Sequence, residues 1–128
     1  LSLPELEFMH IHKTGALIRA AVMLGAWCGS NLNEDQLMSL DRFAKCIGLA
    51  FQVVDDVLDA EATTATLGKT AGKDAENNKP TYVSILGVSR ARELAEELRR
   101  EAYQSLEVFG APAGRLRQVT DFIIHREF

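Results

Sequence analysis

Residues 51–59 read Phe-Gln-Val-Val-Asp-Asp-Val-Leu-Asp, and they indicate the architecture around them. Three aspartates and one glutamine stand here in a run that is otherwise apolar. At about 100° per residue in a helix, these four polar side chains share one face about 100° wide, and apolar side chains cover the rest. A surface helix shows the reverse pattern. We therefore expect this helix to lie inside a bundle, with its acidic face lining an internal cleft.

The acidic face requires a cationic partner. Three ionised carboxylates within about a turn and a half of helix repel one another, and burying them unpaired is very costly. Ligands that are all oxygen favour a hard cation, and Mg²⁺ usually takes one or two carboxylates together with substrate phosphates. The alternative is a solvated acidic patch, which is the commoner meaning of an isolated D-D-x-x-D. The apolar surround favours the magnesium site.

Composition limits the classes of function open to the 128 residues. Hydrophobic residues make up 47% of the chain, enough for one domain with a real core. A net charge of −4 with both signs interspersed argues against a nucleic-acid partner. No apolar run approaches the roughly 18 residues that span a bilayer. Cys28 and Cys46 lack metal-ligand spacing, so we expect two reduced, buried thiols in a cytosolic protein, with a disulfide between them less favoured.

Helical periodicity runs along most of the chain without strand-like alternation, so the predicted class is all-α. An irregularity is expected at Thr14-Gly15, and Asn33 is the predicted N-cap of the helix that carries the acidic face. A polar loop with glycines and lysines follows that helix over residues 63–79. The predicted helices cover, in order, about residues 4–29, 34–62, 80–86, 89–109 and 113–126.

Two other stretches carry groups suited to a diphosphate. In the first, Lys13 and Thr14 offer an ammonium and a hydroxyl beside Gly15, which can bend the backbone toward a ligand. In the second, the polar loop combines two glycines with three lysines: Gly68, Gly72, Lys69, Lys73 and Lys79. The plainer alternatives are a lysine on a helix flank and a solvated loop. Beside an acidic metal face, the loop could instead close over the site as a lid.

These residues resemble the trans-isoprenyl diphosphate synthases, most closely the bacterial farnesyl diphosphate synthases. Lys13-Thr14 followed by Gly-Ala-Leu-Ile is similar to that family's lysine–threonine motif. Residues 51–59 are similar to its second aspartate-rich motif, and Thr66–Asp74 with Lys79-x-Thr81-Tyr82 to the segment that follows. The resemblance covers nearly all of residues 1–128. It implies the C-terminal part of a single helical-bundle domain of the isoprenoid synthase type.

The resemblance also implies residue roles. Asp55 would bind Mg²⁺ directly, with Asp56 and Asp59 completing the metal-binding wall. Thr14 and Gln52 would lie beside the developing allylic cation. The remaining groups are the lysines that would contact the diphosphates: Lys13, Lys69 and Lys79. Catalysis would rest on Lys13, Thr14, Gln52 and Asp55.

The implied reaction condenses isopentenyl diphosphate with an allylic diphosphate (dimethylallyl or geranyl) and gives a short-chain product such as farnesyl diphosphate. The implied parent enzyme is a cytoplasmic homodimer with no membrane span and no nucleic-acid partner. The family's first aspartate-rich motif has no counterpart among these residues, so we expect this chain to be inactive in isolation. Arg126 is a candidate remnant of a basic C-terminus that helps with the homoallylic substrate in some members.

Three alternatives remain beside this interpretation. A terpene cyclase fragment would ionise the same substrates, but the Lys13-Thr14 and Phe51-Gln52 motifs disfavour it. A non-catalytic subunit of a heteromeric synthase would act by protein contact and would not require an intact acidic face. The last alternative is a plain helical domain whose acids are structural.

Overall fold

The computed structural model describes residues 1–29, 31–65 and 80–128, and most of these residues are helical. The predicted all-α class is confirmed for this part of the chain. The helices are, in order, α1 (Leu3–His12), α2 (Thr14–Cys28), α3 (Glu34–Ala65), α4 (Tyr82–Leu86), α5 (Val88–Leu106) and α6 (Gly114–His125). Two 3₁₀ turns, Glu107–Phe109 and Ala111–Ala113, connect the last two helices.

The central helix α3 is 32 residues long, which at 1.5 Å per residue is about 48 Å. Asn33 caps it as predicted, because Asn33 Oδ1 accepts a hydrogen bond from the Gln36 amide at 2.8 Å. Gln36 Oε1 accepts in return from the Asn33 amide at 2.9 Å. The helix continues to Ala65, so residues 63–65, predicted as loop, are helical.

The predicted irregularity near Thr14-Gly15 is a break at Lys13, where φ is −105° and ψ is −97°. The break turns the chain so that α2 approaches α3 at two glycines. A Cβ on Gly48 would lie 3.3 Å from Gly15 Cα, and a Cβ on Gly15 would lie 2.9 Å from the His10 carbonyl oxygen. A methyl group on Gly48 would crowd Gly15, so the backbones of α2 and α3 approach each other closely here.

The core consists of two clusters of side chains along α3, which contacts each of the other five helices. The first surrounds the C-terminal half of α3 and includes Val53, Val57 and Tyr82, all nearly free of solvent contact. The second surrounds its N-terminal half and includes Phe43 and Leu106. The prediction that the helix of residues 51–59 lies at the centre of a bundle is therefore confirmed.

The helix α2 is apolar on most sides, but α1 and α3 cover only part of it. Its exposed side chains include Leu17 at 75%, Leu24 at 59% and Trp27 at 67% of their full accessibility. Leu24 and Trp27 border a groove of about 620 Å³ between α2 and α3. Within the described ranges, no helix is both long enough and apolar enough to cross a membrane.

The two cysteines differ from expectation in one respect. Cys46 is buried in the second cluster, and its Sγ donates to Glu101 Oε2 at 3.6 Å. Burial raises the pKa of the Cys46 thiol to about 12, and the nearby Glu101 charge adds to this. Cys28, expected to be buried, is exposed, because it is the last residue of α2 and lies outside the core clusters. Both thiols are free, so no disulfide joins them.

Two glycine substitutions in α2 test the tight break between α1 and α2. Gly15→Ala places a methyl group against a backbone carbonyl that has little room to move, so we expect a loss of about 1–3 kcal/mol in unfolding free energy. Gly25→Ala meets nothing within 4 Å and should gain up to about 1 kcal/mol from helix propensity. Urea denaturation of both variants measures the difference. Equal shifts in the two variants would contradict the close contact of Gly15 with the His10 carbonyl.

Candidate active site

Asp56 is the buried member of the acidic set, with 8% of its surface exposed. Its Oδ2 accepts a hydrogen bond from the backbone amide of Tyr82 at 2.9 Å. Its Oδ1 accepts from Gln52 Nε2 at 3.1 Å, one helical turn earlier in α3. The Tyr82 amide is the first of α4 and has no acceptor within its own helix, so Asp56 satisfies it from outside. Both carboxylate oxygens are thus used inside the protein.

A second buried hydrogen bond connects α4 to α1. His10 Nδ1 and Tyr82 Oη lie 3.2 Å apart, and their ring centroids are 5.3 Å apart. His10 is 9% exposed and Tyr82 is fully buried. Together with the Tyr82 amide and Asp56, this contact links α1, α4 and α3 in a continuous polar path through the first core cluster.

Burial shifts the pKa values of the two titratable groups at the ends of this path in opposite directions. Desolvation lowers the pKa of His10 from 6.5; the Asp56 charge raises it in part, and the Lys13 charge lowers it further. Desolvation likewise raises the pKa of Asp56 from 3.8. The hydrogen bonds from Tyr82 and Gln52 oppose that rise, as does the charge of His10, whereas Asp55 adds to it.

Asp55 faces solvent, with 44% of its side chain exposed. Its Oδ1 lies 3.8 Å from Nη2 of Arg126, whose own side chain is only 10% exposed. The same Nη2 donates to the Phe51 carbonyl oxygen at 3.1 Å, and the guanidinium carbon lies 4.5 Å from the centroid of the Phe51 ring. Arg126 therefore fastens the end of the chain to α3 one turn before Asp55.

The acidic face is more open than the sequence suggested. Asp59 is exposed and Asp55 is half-exposed, whereas Asp56 is buried and bonded to the first amide of α4. The internal cleft stays a prediction, because residues 66–79 lie outside the described ranges. In residues 1–29, 31–65 and 80–128, no three His, Cys, Asp or Glu side chains converge on a point where they could hold a metal ion. The described face offers Asp55 as an accessible oxygen ligand, not a cage made by protein alone.

Lys13 and Thr14 lie where the break turns the chain into α2. Lys13 is exposed and forms the N-cap of α2 without a side-chain hydrogen bond to the first turn. The Gly15–Gly48 contact places this turn against α3 one helical turn before Gln52. Gly48, Gln52, Asp55 and Asp59 recur at spacings of three or four residues, so they lie along one face of α3.

The structure thus brings five of the predicted site residues to one side of α3: Lys13, Thr14, Gln52, Asp55 and Asp59. Asp56 lies beneath them, bonded to Gln52. The predictions for Lys69, Lys79 and the lid formed by residues 66–79 lie outside the described residues.

Two residues have larger roles than their sequence context predicts. No motif in the sequence singles out His10, yet its side chain is hydrogen-bonded in the buried core. Tyr82 was noted only as part of a similar segment, although both its amide and its hydroxyl connect elements of the site. A histidine flanked by apolar residues three positions before Lys13 was the available signal for the first. No pattern in the sequence pairs Asp56 with an amide 26 residues away.

The chain is similar to known proteins along nearly its whole length. Residues 1–113 match the family model described as Polyprenyl synthetase. The chain is 49% identical, over 99% of its length, to geranylgeranyl pyrophosphate synthase, chloroplastic, of Capsicum annuum, of which it covers 34%. The Catharanthus roseus protein of the same name is 47% identical, with 36% of it covered. The chain thus spans about a third of the length of these relatives.

Solved structures show the same relationship. A putative farnesyl-diphosphate synthase from Marinomonas sp. MED121 matches with a TM-score of 0.78 and 39% identity, covering 97% of this chain and 40% of that one. An FPP/GFPP synthase from Zymomonas mobilis matches with a TM-score of 0.79 and 36% identity, covering 96% of this chain and 39% of that one. The helices of the described part are therefore arranged as in these synthases.

The lowered pKa of His10 predicts how stability depends on pH. Below about pH 6.5 the unfolded chain takes up a proton that the native His10 resists, so unfolding becomes easier as the pH falls toward the native pKa. One proton contributes at most about 1.4 kcal/mol per pH unit. His10→Asn should remove this part of the slope in denaturation series between pH 7.5 and 5, whereas His12→Asn, on the exposed side of α1, should keep it. If the unfolding free energy falls with pH equally steeply in the wild type and in His10→Asn, the pH dependence does not come from His10.

Proposed function

The chain belongs to the polyprenyl synthetase family, and on that premise we propose that it forms one wall of a Mg²⁺-dependent prenyltransferase active site. The parent reaction is the condensation of isopentenyl diphosphate with an allylic diphosphate to give a short-chain isoprenyl diphosphate. Relatives named as farnesyl and as geranylgeranyl synthases support a product within that range. The supporting observation is the accessible Asp55 on the same face of α3 as Gln52, beside the turn that carries Lys13 and Thr14.

Asp55 is the residue that we propose as the Mg²⁺ ligand. Mg²⁺ keeps several waters and is commonly held by one or two carboxylates plus substrate phosphates. The accessible carboxylate of Asp55 fits this mode of binding. We therefore propose that Mg²⁺ binds here in the company of a diphosphate, with Asp59 on the same face of α3.

The turn at Lys13 is the proposed diphosphate contact. Helix α2 is 15 residues long, and no side chain caps the amides of its first turn. Such amides carry partial positive charge and attract anions, and the exposed Lys13 ammonium adds a full charge beside them. Lys69 and Lys79 remain proposed contacts from the segment that lies outside the described residues.

In the bond-making step, the metal and the protein side chains would have different roles. Bound Mg²⁺ would neutralise the leaving diphosphate. The side-chain oxygens of Thr14 and Gln52 would face the allylic cation. These oxygens attract positive charge but are too weakly basic to remove a proton from it. An apolar cavity in the parent enzyme would keep water away from that cation. A homodimeric parent and a cytoplasmic location remain predictions.

Calorimetric titration of inorganic pyrophosphate into this chain tests the proposed site. We expect binding that requires Mg²⁺ and that weakens at least tenfold in Asp55→Asn, because the variant removes the accessible anionic ligand. Asp35→Asn is the matched control: it changes an exposed aspartate at the other end of the same helix. Binding without Mg²⁺, or equal binding by both variants, would exclude Asp55 as the metal ligand.

The second test concerns turnover. Because no second D-D-x-x-D occurs in the sequence, the purified chain should form no product from geranyl and isopentenyl diphosphates in the presence of Mg²⁺. Radiolabelled isopentenyl diphosphate and extraction of acid-labile product measure this. Product formation that disappears in Asp55→Asn would show that one aspartate-rich wall is sufficient and would overturn the expectation of an inactive chain.

A further inference from the structure

The orientation of the Gln52 side chain follows from the contacts of Asp56. An ionised carboxylate offers only acceptors, so the amide group that it meets must present its NH₂. Gln52 Nε2 accordingly donates to Asp56 Oδ1 at 3.1 Å. The carbonyl oxygen is the other branch of the same planar amide and therefore points away from Asp56. Without that partner, nothing in the amide itself would distinguish its two ends.

Asp56 is in turn fixed by the backbone. Its second oxygen accepts from the Tyr82 amide at 2.9 Å, and a backbone N–H cannot reorient as a side chain can. The Tyr82 side chain is fully buried, and its hydroxyl lies 3.2 Å from His10 Nδ1. Helix α4 is thereby attached both to α3, through the amide, and to α1, through the ring. Asp56 has little freedom to rotate, since a change of rotamer would break one of its two bonds.

We propose that Asp56 is a positioning residue and not a metal ligand, and that it sets the orientation of the Gln52 amide, with the Tyr82 amide as its anchor. The consequence for chemistry rests on the proposed function: the Gln52 oxygen is the end of the amide available to an allylic cation. The two adjacent aspartates thus have separate roles. Asp55 is open to solvent beside Arg126, and Asp56 is closed in by α4.

Side-chain amide hydrogen exchange, measured by NMR on the ¹⁵N-labelled chain, tests the orientation. In the wild type, the Gln52 NH₂ protons should exchange at least tenfold more slowly than those of Gln104, which is exposed on α5. Asp56→Asn leaves one acceptor oxygen for two donors, the Gln52 side-chain amide and the Tyr82 backbone amide. The Gln52 side chain is the more mobile of the two, so it should lose its hydrogen bond. We expect Gln52 to lose its protection in this variant while the Tyr82 backbone amide keeps its own.

Two outcomes would overturn the proposal. Wild-type Gln52 protons that exchange as fast as those of Gln104 would show that the hydrogen bond does not fix the amide, and this measurement needs no variant to fold. Unchanged Gln52 protection in a folded Asp56→Asn would show that another group sets its orientation. Tyr82→Phe is the control, because it removes the contact with His10 but leaves the Tyr82 amide in place.

Pyrophosphate titration with Mg²⁺ separates this proposal from the proposed function. We expect Asp56→Asn to bind within threefold of the wild type, whereas Asp55→Asn weakens binding at least tenfold. If a folded Asp56→Asn loses binding as Asp55→Asn does, Asp56 is a ligand and the positioning role is wrong, although the proposed site stands. If neither variant affects binding but Gln52 loses protection in Asp56→Asn, the positioning role stands and the proposed metal site falls.

Discussion

A carboxylate buried in the middle of a helix must be hydrogen-bonded. Asp56 meets this requirement by accepting hydrogen bonds from the Gln52 side chain of α3 and from the Tyr82 amide of α4. That one constraint determines where α4 lies. It also brings the Tyr82 ring under α1, where His10 meets it. Leaving a buried group of this kind unpaired costs about 1–3 kcal/mol or more, which is a substantial part of the stability of a small domain. The acidic motif is therefore part of the core as well as of the candidate site.

The close approach of α2 to α3 gives the opposite side of the site its shape. With glycine at positions 15 and 48, the turn carrying Lys13 lies against α3 one helical turn before Gln52. A positive side chain, uncapped helix amides and an accessible carboxylate then share one side of the molecule. Arg126 encloses this side from the end of the chain, held by the Phe51 ring and carbonyl oxygen. The helices that carry these groups are arranged as in the synthases to which the chain is structurally similar.

Much of this fold follows from the sequence because helical periodicity and capping are local. The 3.6-residue apolar period predicts α3, and Asn33 predicts where this helix begins. Gly15, close to Lys13, predicts the break between α1 and α2. Burial was harder to predict because it depends on what packs against a helix. The apolar pattern of α2 does not reveal that Leu17 and Trp27 are exposed. The prediction that Cys28 is buried was wrong for the same reason. The divided roles of Asp55 and Asp56 depend on a residue 26 positions after Asp56, which no local pattern contains.

The central claim is that Asp55, and not Asp56, presents a metal–diphosphate site on the side of α3 that faces Lys13. Paramagnetic broadening by Mn²⁺, which takes the same oxygen ligands as Mg²⁺, measures this most directly in the ¹⁵N-labelled chain. In the presence of pyrophosphate, the amide signals of residues 13–15 and 52–59 should broaden first, and Asp55→Asn should abolish the effect. Broadening centred on the acidic surface of α5, at Glu93 and Glu97, or broadening indifferent to both pyrophosphate and Asp55, would contradict the account.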